Sequence, residues 1–166
     1  MRLPGSERSL AGGSLLFCRG DPVIHMVLVL SGEVRLVRHE NDGRAVILQR
    51  AGPSAMLAEA ALFSDVYHCD AVAVVDSRVR LIERSLMRRR FDSDPVFASA
   101  WASHLAHEIR DARMRTEILT LKTISERLDA WLVWHEKLPE KGNWKRVAED
   151  IGASHEALYR ELAKRR

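Results

Sequence analysis

What most limits the fold of this chain is a change of hydrophobic period near residue 94. Ahead of it, short β-branched and aliphatic runs alternate with turn signals. "LLFCRGDP" ends in a Gly-Asp-Pro turn, "VLVLSGEVRLVR" is broken at Ser31-Gly32, and "HENDGR" carries an Asp-Gly hairpin signal. "AVILQR", the break "AGPSA", "MLAEAALFSD", "CDAVAVVDS" and "RVRLIER" follow. Short strands at this spacing, with no helices between most of them, argue for an antiparallel sandwich or small barrel. In "GEVRLVR", Val34 and Leu36 share one face and Glu33, Arg35 and Val37 the other, as in a half-buried strand.

Beyond "FDSDP" the period is helical. Asp94 is placed as an N-cap, with Pro95 at the first helical position. Phe97, Trp101, Leu105, Ile109, Ala112 and Leu119 recur at steps of three, four or a multiple, and so form one stripe. The opposite face carries Glu108, Arg110, Asp111, Arg113, Arg115 and Glu117. A helix of roughly 25 residues spans about 37 Å, more than a small domain needs for its own core. It can lie across the sandwich, but its length and stripe point to pairing with a second copy. A further helix, "TISERLDAWLVWHEK", ends before Leu138-Pro139.

The last stretch, "GNWKRVAEDIGASHEALYRELAKRR", puts Val147, Ala148 and Ile151 on an apolar face and stops at Gly152. Ser154 can cap the next helix, and Leu158 with Leu162 gives it a buried side. Helix, glycine turn and capped helix form the helix-turn-helix pattern, whose second helix enters a major groove with its first turn at the base edges. Residues 141–166 hold seven Lys/Arg against four Asp/Glu. Lys145, Arg146, Lys164, Arg165 and Arg166 suit phosphates, which supply affinity and salt dependence but little sequence information. The candidate DNA contacts are Ser154, His155, Glu156, Tyr159, Arg160 and Lys164; Arg160 suits guanine and Glu156 cytosine. The alternative is a solvated helical hairpin packed on its neighbour.

Charge and motifs narrow the function classes. The net charge of +3 is a mild bias toward anionic partners. No apolar run reaches membrane-spanning length, and "MRLPGSERSLAGGS" lacks the apolar core of a secretory signal. The expected location is therefore the cytoplasm, with no membrane partner. Cys18 and Cys69 fit no disulfide framework. Gly-rich phosphate loops, His-Glu-x-x-His and Gly-x-Ser-x-Gly are missing, so an enzyme is not expected.

The order sandwich, long helix, helix-turn-helix resembles the Crp/Fnr family of bacterial transcription regulators over nearly the whole chain. "LLFCRGDPVIHMVLVLSGEVRLVR", with Gly20, Asp21 and the turn at Gly32, is similar to the family's opening strands. "MLAEAALF" is similar to its ligand-cassette helix through Glu59, Ala60 and Leu62. "GASHEALYRELAKR" resembles its recognition segment, with His155, Glu156 and Arg160 at base-contacting positions and His155 where an arginine is common. The resemblance implies an α+β molecule. Residues 1–93 would be an antiparallel jelly roll of the cyclic-nucleotide-binding type, 94–119 a dimerisation helix and 120–166 a helix-turn-helix domain. It further implies a homodimeric regulator on double-stranded DNA with a palindromic operator, and RNA polymerase as a candidate partner. The chain stops after the recognition segment, so the β-hairpin wing of many relatives has no residues here; anchoring is then expected from the helices and the Lys164–Arg166 tail, or binding is weaker, or a partner assists, or the chain is a truncation of a longer one.

The polar start of "YHCDAVAVV" bears on the effector. Cyclic-nucleotide members of the family hold the phosphate with an Arg-Ser pair, and those positions here are Cys69 and Asp70. A cyclic phosphodiester takes a fork of donors; Asp70 adds a negative charge and Cys69 offers only a weak donor. The family's adenine-contacting hydroxyls fall at about Ala112 and Arg113, so cyclic AMP or GMP is not expected as the effector. Glu59, His68, Cys69 and Asp70 define the candidate effector pocket. Cys18, His25, His68 and Cys69 are candidate metal ligands, although His68 and Cys69, as strand neighbours, point to opposite faces. Haem stays open, because the family's carbon-monoxide sensor places a ligand histidine near His68. Two cysteines cannot supply the thiolates of an iron–sulfur cluster. The plain alternative makes His68 a strand-end residue, Cys69 a core residue and Asp70 a turn or cap group; Met56, Leu57 and Met87 read as core. A different class of function is a metal-, haem- or small-ligand-sensing β-domain that acts through protein contacts without binding DNA itself.

Overall fold

The computed structural model describes residues 4–39 and 45–165, and the chain divides into two compact units, Met1–Leu105 and Ala106–Arg166. The first unit holds eight strands: β1 (Ser6–Leu10), β2 (Leu15–Phe17), β3 (His25–Ser31), β4 (Val34–His39), β5 (Ala45–Ala51), β6 (Met56–Leu57), β7 (Asp70–Ala73) and β8 (Ser77–Glu83). They form two four-stranded sheets, in the orders β1-β8-β3-β6 and β2-β7-β4-β5, with antiparallel pairing. Their inward side chains, among them Met26, Val29, Val34, Ala71, Val79 and Ile82, make one buried core. The eight-stranded antiparallel roll agrees with the expected fold class.

Local details depart from the alternation. Val37, expected on the solvent face, is buried; opposite it the β4–β5 register shifts, with Leu48 as the extra residue on β5. The "MLAEAALF" segment is not an α-helix: β6 leads into a short 3-10 helix, Glu59–Phe63, entered through Ala58 at φ 54°. The Asp-Gly turn of "HENDGR" lies outside the described residues, although His39 and Ala45 pair on either side of it. Helical structure also begins ten residues early. α1 (Arg84–Ser93) is anchored by buried Met87 and supported by the i,i+4 pairs Arg88–Asp92 and Arg90–Asp94.

Asp94 then caps α2 (Pro95–Thr120), its Oδ1 accepting from the backbone N–H groups of Val96 and Phe97 at 3.1 Å each. The apolar stripe of α2 does not have one environment. Phe97, Trp101 and Leu105 pack on the core of the first unit, whereas Ile109, Ala112 and Leu119 are exposed.

The second unit contains the end of α2, α3 (Ile124–His135), α4 (Trp144–Asp150) and α5 (His155–Lys164). α3 opens on a capping box: Thr123 Oγ1 accepts from the Glu126 backbone N–H, and the Glu126 carboxylate accepts from Thr123 N. Ile118, Leu128, Trp131, Val147, Ala148, Ile151 and Leu158 form its core. No described helix is long and apolar enough to cross a membrane.

Candidate effector site and nucleic-acid interface

The cassette is held by Gln49, a residue without a motif of its own. Gln49, buried on β5, donates from Nε2 to Glu59 Oε2 at 2.7 Å and to Met56 O at 3.2 Å. Its Oε1 accepts from Ala58 N at 3.0 Å. The Glu59 carboxylate is thus tied to the protein's own frame. A buried glutamine in a strand is its only sequence signal, and that signal is weak.

The quartet from Tyr67 to Asp70 separates by side. Tyr67 is buried, stacks on Phe17 with ring centroids 3.6 Å apart, and donates its phenol to His25 O at 2.5 Å. Burial, and then the charge of Asp21, pushes its pKa up to about 12. His68 is exposed, its Nε2 3.3 Å from Ser64 Oγ. Cys69 is buried among the core residues, and that burial raises its thiol pKa. Asp70 accepts from Arg19 N at 2.7 Å and lies 3.1 Å from His39 Nδ1. The Arg19 hydrogen bond is the main reason its carboxyl titrates below the usual range.

A cyclic phosphodiester at this place would meet an ionised carboxylate and a neutral buried thiol. The residues do not fit it. Cys18 lies in the β2–β3 loop, its N–H bonded to Asp21 Oδ2 at 2.8 Å, and His25 opens β3. Among the described residues no three His, Cys, Asp or Glu side chains converge as a metal-ligand set.

In the second unit, α4, a turn and α5 form the helix-turn-helix. Gly152, at φ 62°, makes the turn possible, and a Cβ there would sit 2.7 Å from Leu119 Cδ2. Ser154 caps α5, its Oγ accepting from Ala157 N at 3.2 Å. Fully buried Leu158 roots the helix, which leaves His155, Glu156, Arg160 and Lys164 exposed. Glu156 titrates below its usual range because of its own backbone N–H first and the Ser154 hydroxyl next. Arg160 has no ion-pair or hydrogen-bond partner among the described residues. Tyr159 is half-buried between Trp144 (4.9 Å) and His155 (4.5 Å).

Two arginines act differently from what their sequence positions suggest. Arg165, expected as a phosphate contact, is engaged elsewhere. It donates to Asp129 Oδ1 at 2.5 Å, Ser125 Oγ at 2.8 Å, Ser125 O at 3.0 Å and Glu161 Oε1 at 3.1 Å, tying the end of α5 to α3. Arg166 lies outside the described residues. Arg127, which the sequence did not mark, donates to Leu121 O at 2.8 Å and to Ile151 O and Gly152 O at 3.3 and 3.4 Å. It fastens the turn between α4 and α5 to the start of α3.

A two-sheet roll with a cassette, a long helix and a capped helix-turn-helix follow one another along this chain. Residues 7–94 match the family model "Cyclic nucleotide-binding domain". The chain is 24% identical, over 91% of its length and 73% of the relative, to the CRP-like cAMP-activated global transcriptional regulator of Mycobacterium tuberculosis. It is 30% identical to the cyclic AMP receptor protein of Thermus thermophilus, over 70% of this chain and 54% of that one. The solved structure of FixK2 from Bradyrhizobium japonicum superposes with a TM-score of 0.77 at 23% identity, covering 98% of this chain and 84% of that one. The chain belongs to the Crp/Fnr family of transcription regulators. These relatives are regulators, not enzymes.

Proposed function

We propose that this regulator works as a homodimer reading a palindromic operator, and that its effector is not cyclic AMP or GMP. The roll of residues 1–93 is the sensor, 94–119 pairs two copies, and 120–166 reads DNA in the cytoplasm; RNA polymerase is a candidate partner. The observation that carries the reading is α5: a helix rooted by Leu158 that leaves Glu156 and Arg160 exposed at its outer face, Arg160 with no ion-pair or hydrogen-bond partner among the described residues. The exposed Ile109, Ala112 and Leu119 support pairing, because they leave a row of apolar surface open on α2 in one chain. Two-fold symmetry then sets half-sites one helical turn apart, ~34 Å.

Ionised Asp70 beside buried Cys69 argues against a cyclic nucleotide, although the Mycobacterium tuberculosis relative is named as cAMP-activated. The protein is expected to purify colourless; a Soret band, or stoichiometric metal lost in His68→Ala, would restore the haem or metal alternative. In a mobility-shift titration over salt, Arg160→Ala should lose about 1–3 kcal/mol of discrimination for the operator and keep its non-specific, salt-dependent affinity. No specific band at low salt for the unaltered protein, or a monomer in sedimentation at micromolar concentration, overturns the reading.

A further inference from the structure

The first unit contains a preformed cavity of about 230 Å³ that shares none of Glu59, His68, Cys69 or Asp70. Its floor is the Phe17–Tyr67 stack, and Leu16, Ile24, Val27 and Leu81 supply most of the remaining apolar wall. Backbone bonds hold the frame: Gly20 N to Tyr67 O at 2.8 Å, Tyr67 N to Asp21 O at 2.9 Å, and Val23 N to Asp65 O at 2.9 Å. Cys18 N further fixes the Asp21 side chain through Oδ2.

Arg8 and Asp21 line the same cavity, as does His25. Arg8 projects from β1, an edge strand of its sheet. Nearby Arg78 and Arg80 are both paired with Glu7, but the Arg8 guanidinium has no side-chain partner among the described residues. We infer that this cavity binds a free apolar α-amino acid, with its side chain over the Phe17–Tyr67 floor, its carboxylate at Arg8 and its ammonium at Asp21. Size and charge both select that class. At about 230 Å³ the cavity is small beside the ~300–1,000 Å³ of sites for drug-sized ligands. A simple carboxylate would face Asp21 and a simple amine would face Arg8, whereas a zwitterion satisfies both. Binding here needs neither a dimer nor DNA.

The test is calorimetric titration of the full chain with L-leucine and L-phenylalanine, then with their amides, their N-acetyl forms and the matching deaminated acids. Saturable one-site binding of an amino acid is expected, weakened about tenfold or more by removal of either charge. Arg8→Gln, on an exposed edge strand, should weaken the amino acid about tenfold while leaving the amide unchanged and the far-UV circular dichroism intact. No saturable heat at ~10 mM of either amino acid overturns the site. Deaminated acids binding as tightly overturn the zwitterion, and an unaffected Arg8→Gln overturns the placement. Should the variant misfold, the ligand series on the unaltered chain decides alone.

Discussion

The cassette end of the roll and the outer face of α5 are both rich in polar residues, and the fold treats them in opposite ways. At the cassette, Glu59 is bonded to Gln49, Asp70 to Arg19 N and His39, and Tyr67 to His25 O, while Cys69 is sealed in the core. On α5, Leu158 takes the buried position, and Arg160 and Glu156 are left facing outward. Reactive residue types are common to both places. What separates a structural cluster from a recognition surface is whether the fold has already consumed their hydrogen-bonding capacity.

That contrast is sharpest on α5 itself, where neighbouring residues should fail for different reasons. Leu158→Ala removes a fully buried side chain and is expected to cost about 2–5 kcal/mol, read as loss of the helical unit's cooperative unfolding in denaturant. Operator binding should vanish with it. Arg160→Ala, two residues on, should leave stability within about ±0.5 kcal/mol. If Leu158→Ala costs no more than Arg160→Ala, α5 is not rooted as described and its exposed face has no fixed orientation.

At the cassette, Tyr67 gives the next largest effect. Its phenol stays protonated in the native protein up to about pH 12, against an ordinary value of 10.0. Between those values the unfolded chain releases a proton that the native chain keeps. Stability is therefore full below pH 10 and falls as pH rises toward 12, by about 2–3 kcal/mol in total. Tyr67→Phe should lower stability at neutral pH by about 1 kcal/mol through loss of the His25 O bond and flatten the alkaline slope by one proton. An unchanged slope would mean that the phenol is open to solvent, and the cassette would then be less closed than α5 is open.

The same contrast explains what could be read in advance. Two-residue alternation and the Gly152–Ser154 punctuation are local, so the roll, the capped α2 and the helix-turn-helix were legible. α1 was not: with Met87 as its buried anchor among four arginines, "RSLMRRRFDS" carries too thin a stripe to signal a helix. Nor were Gln49, Arg127 and the tie made by Arg165, whose partners lie 10, 24 and 36 residues away. Side chains that close long-range hydrogen bonds leave no period in a sequence. His68 and Cys69, expected as strand neighbours, instead lie in a bend ahead of β7, so strand alternation does not govern them, and that Cys69 is buried and His68 exposed needed the fold.

The smallest expected effect tests whether Asp70 is truly engaged. Its carboxyl is held below the ordinary value of 3.8, chiefly by Arg19 N and then by His39. The native state thus favours the anion more than the unfolded state does. The resulting stabilisation is present above pH 3.8 and is lost as pH falls through the lower native value. Its size is modest, since the Asp70 side chain is 24% exposed and water screens the His39 contact. Asn at this position keeps an acceptor for Arg19 N but cannot ionise. In urea titrations from about pH 6 down to pH 3, the stability gap between the native chain and Asp70→Asn should hold steady and then narrow below pH 3.8. A gap that widens on acidification would mean that the anion is unfavourable where it sits. Asp70 would then be an unsatisfied charge waiting for a donor or a cation, and the cassette would resemble α5 in keeping its chemistry open.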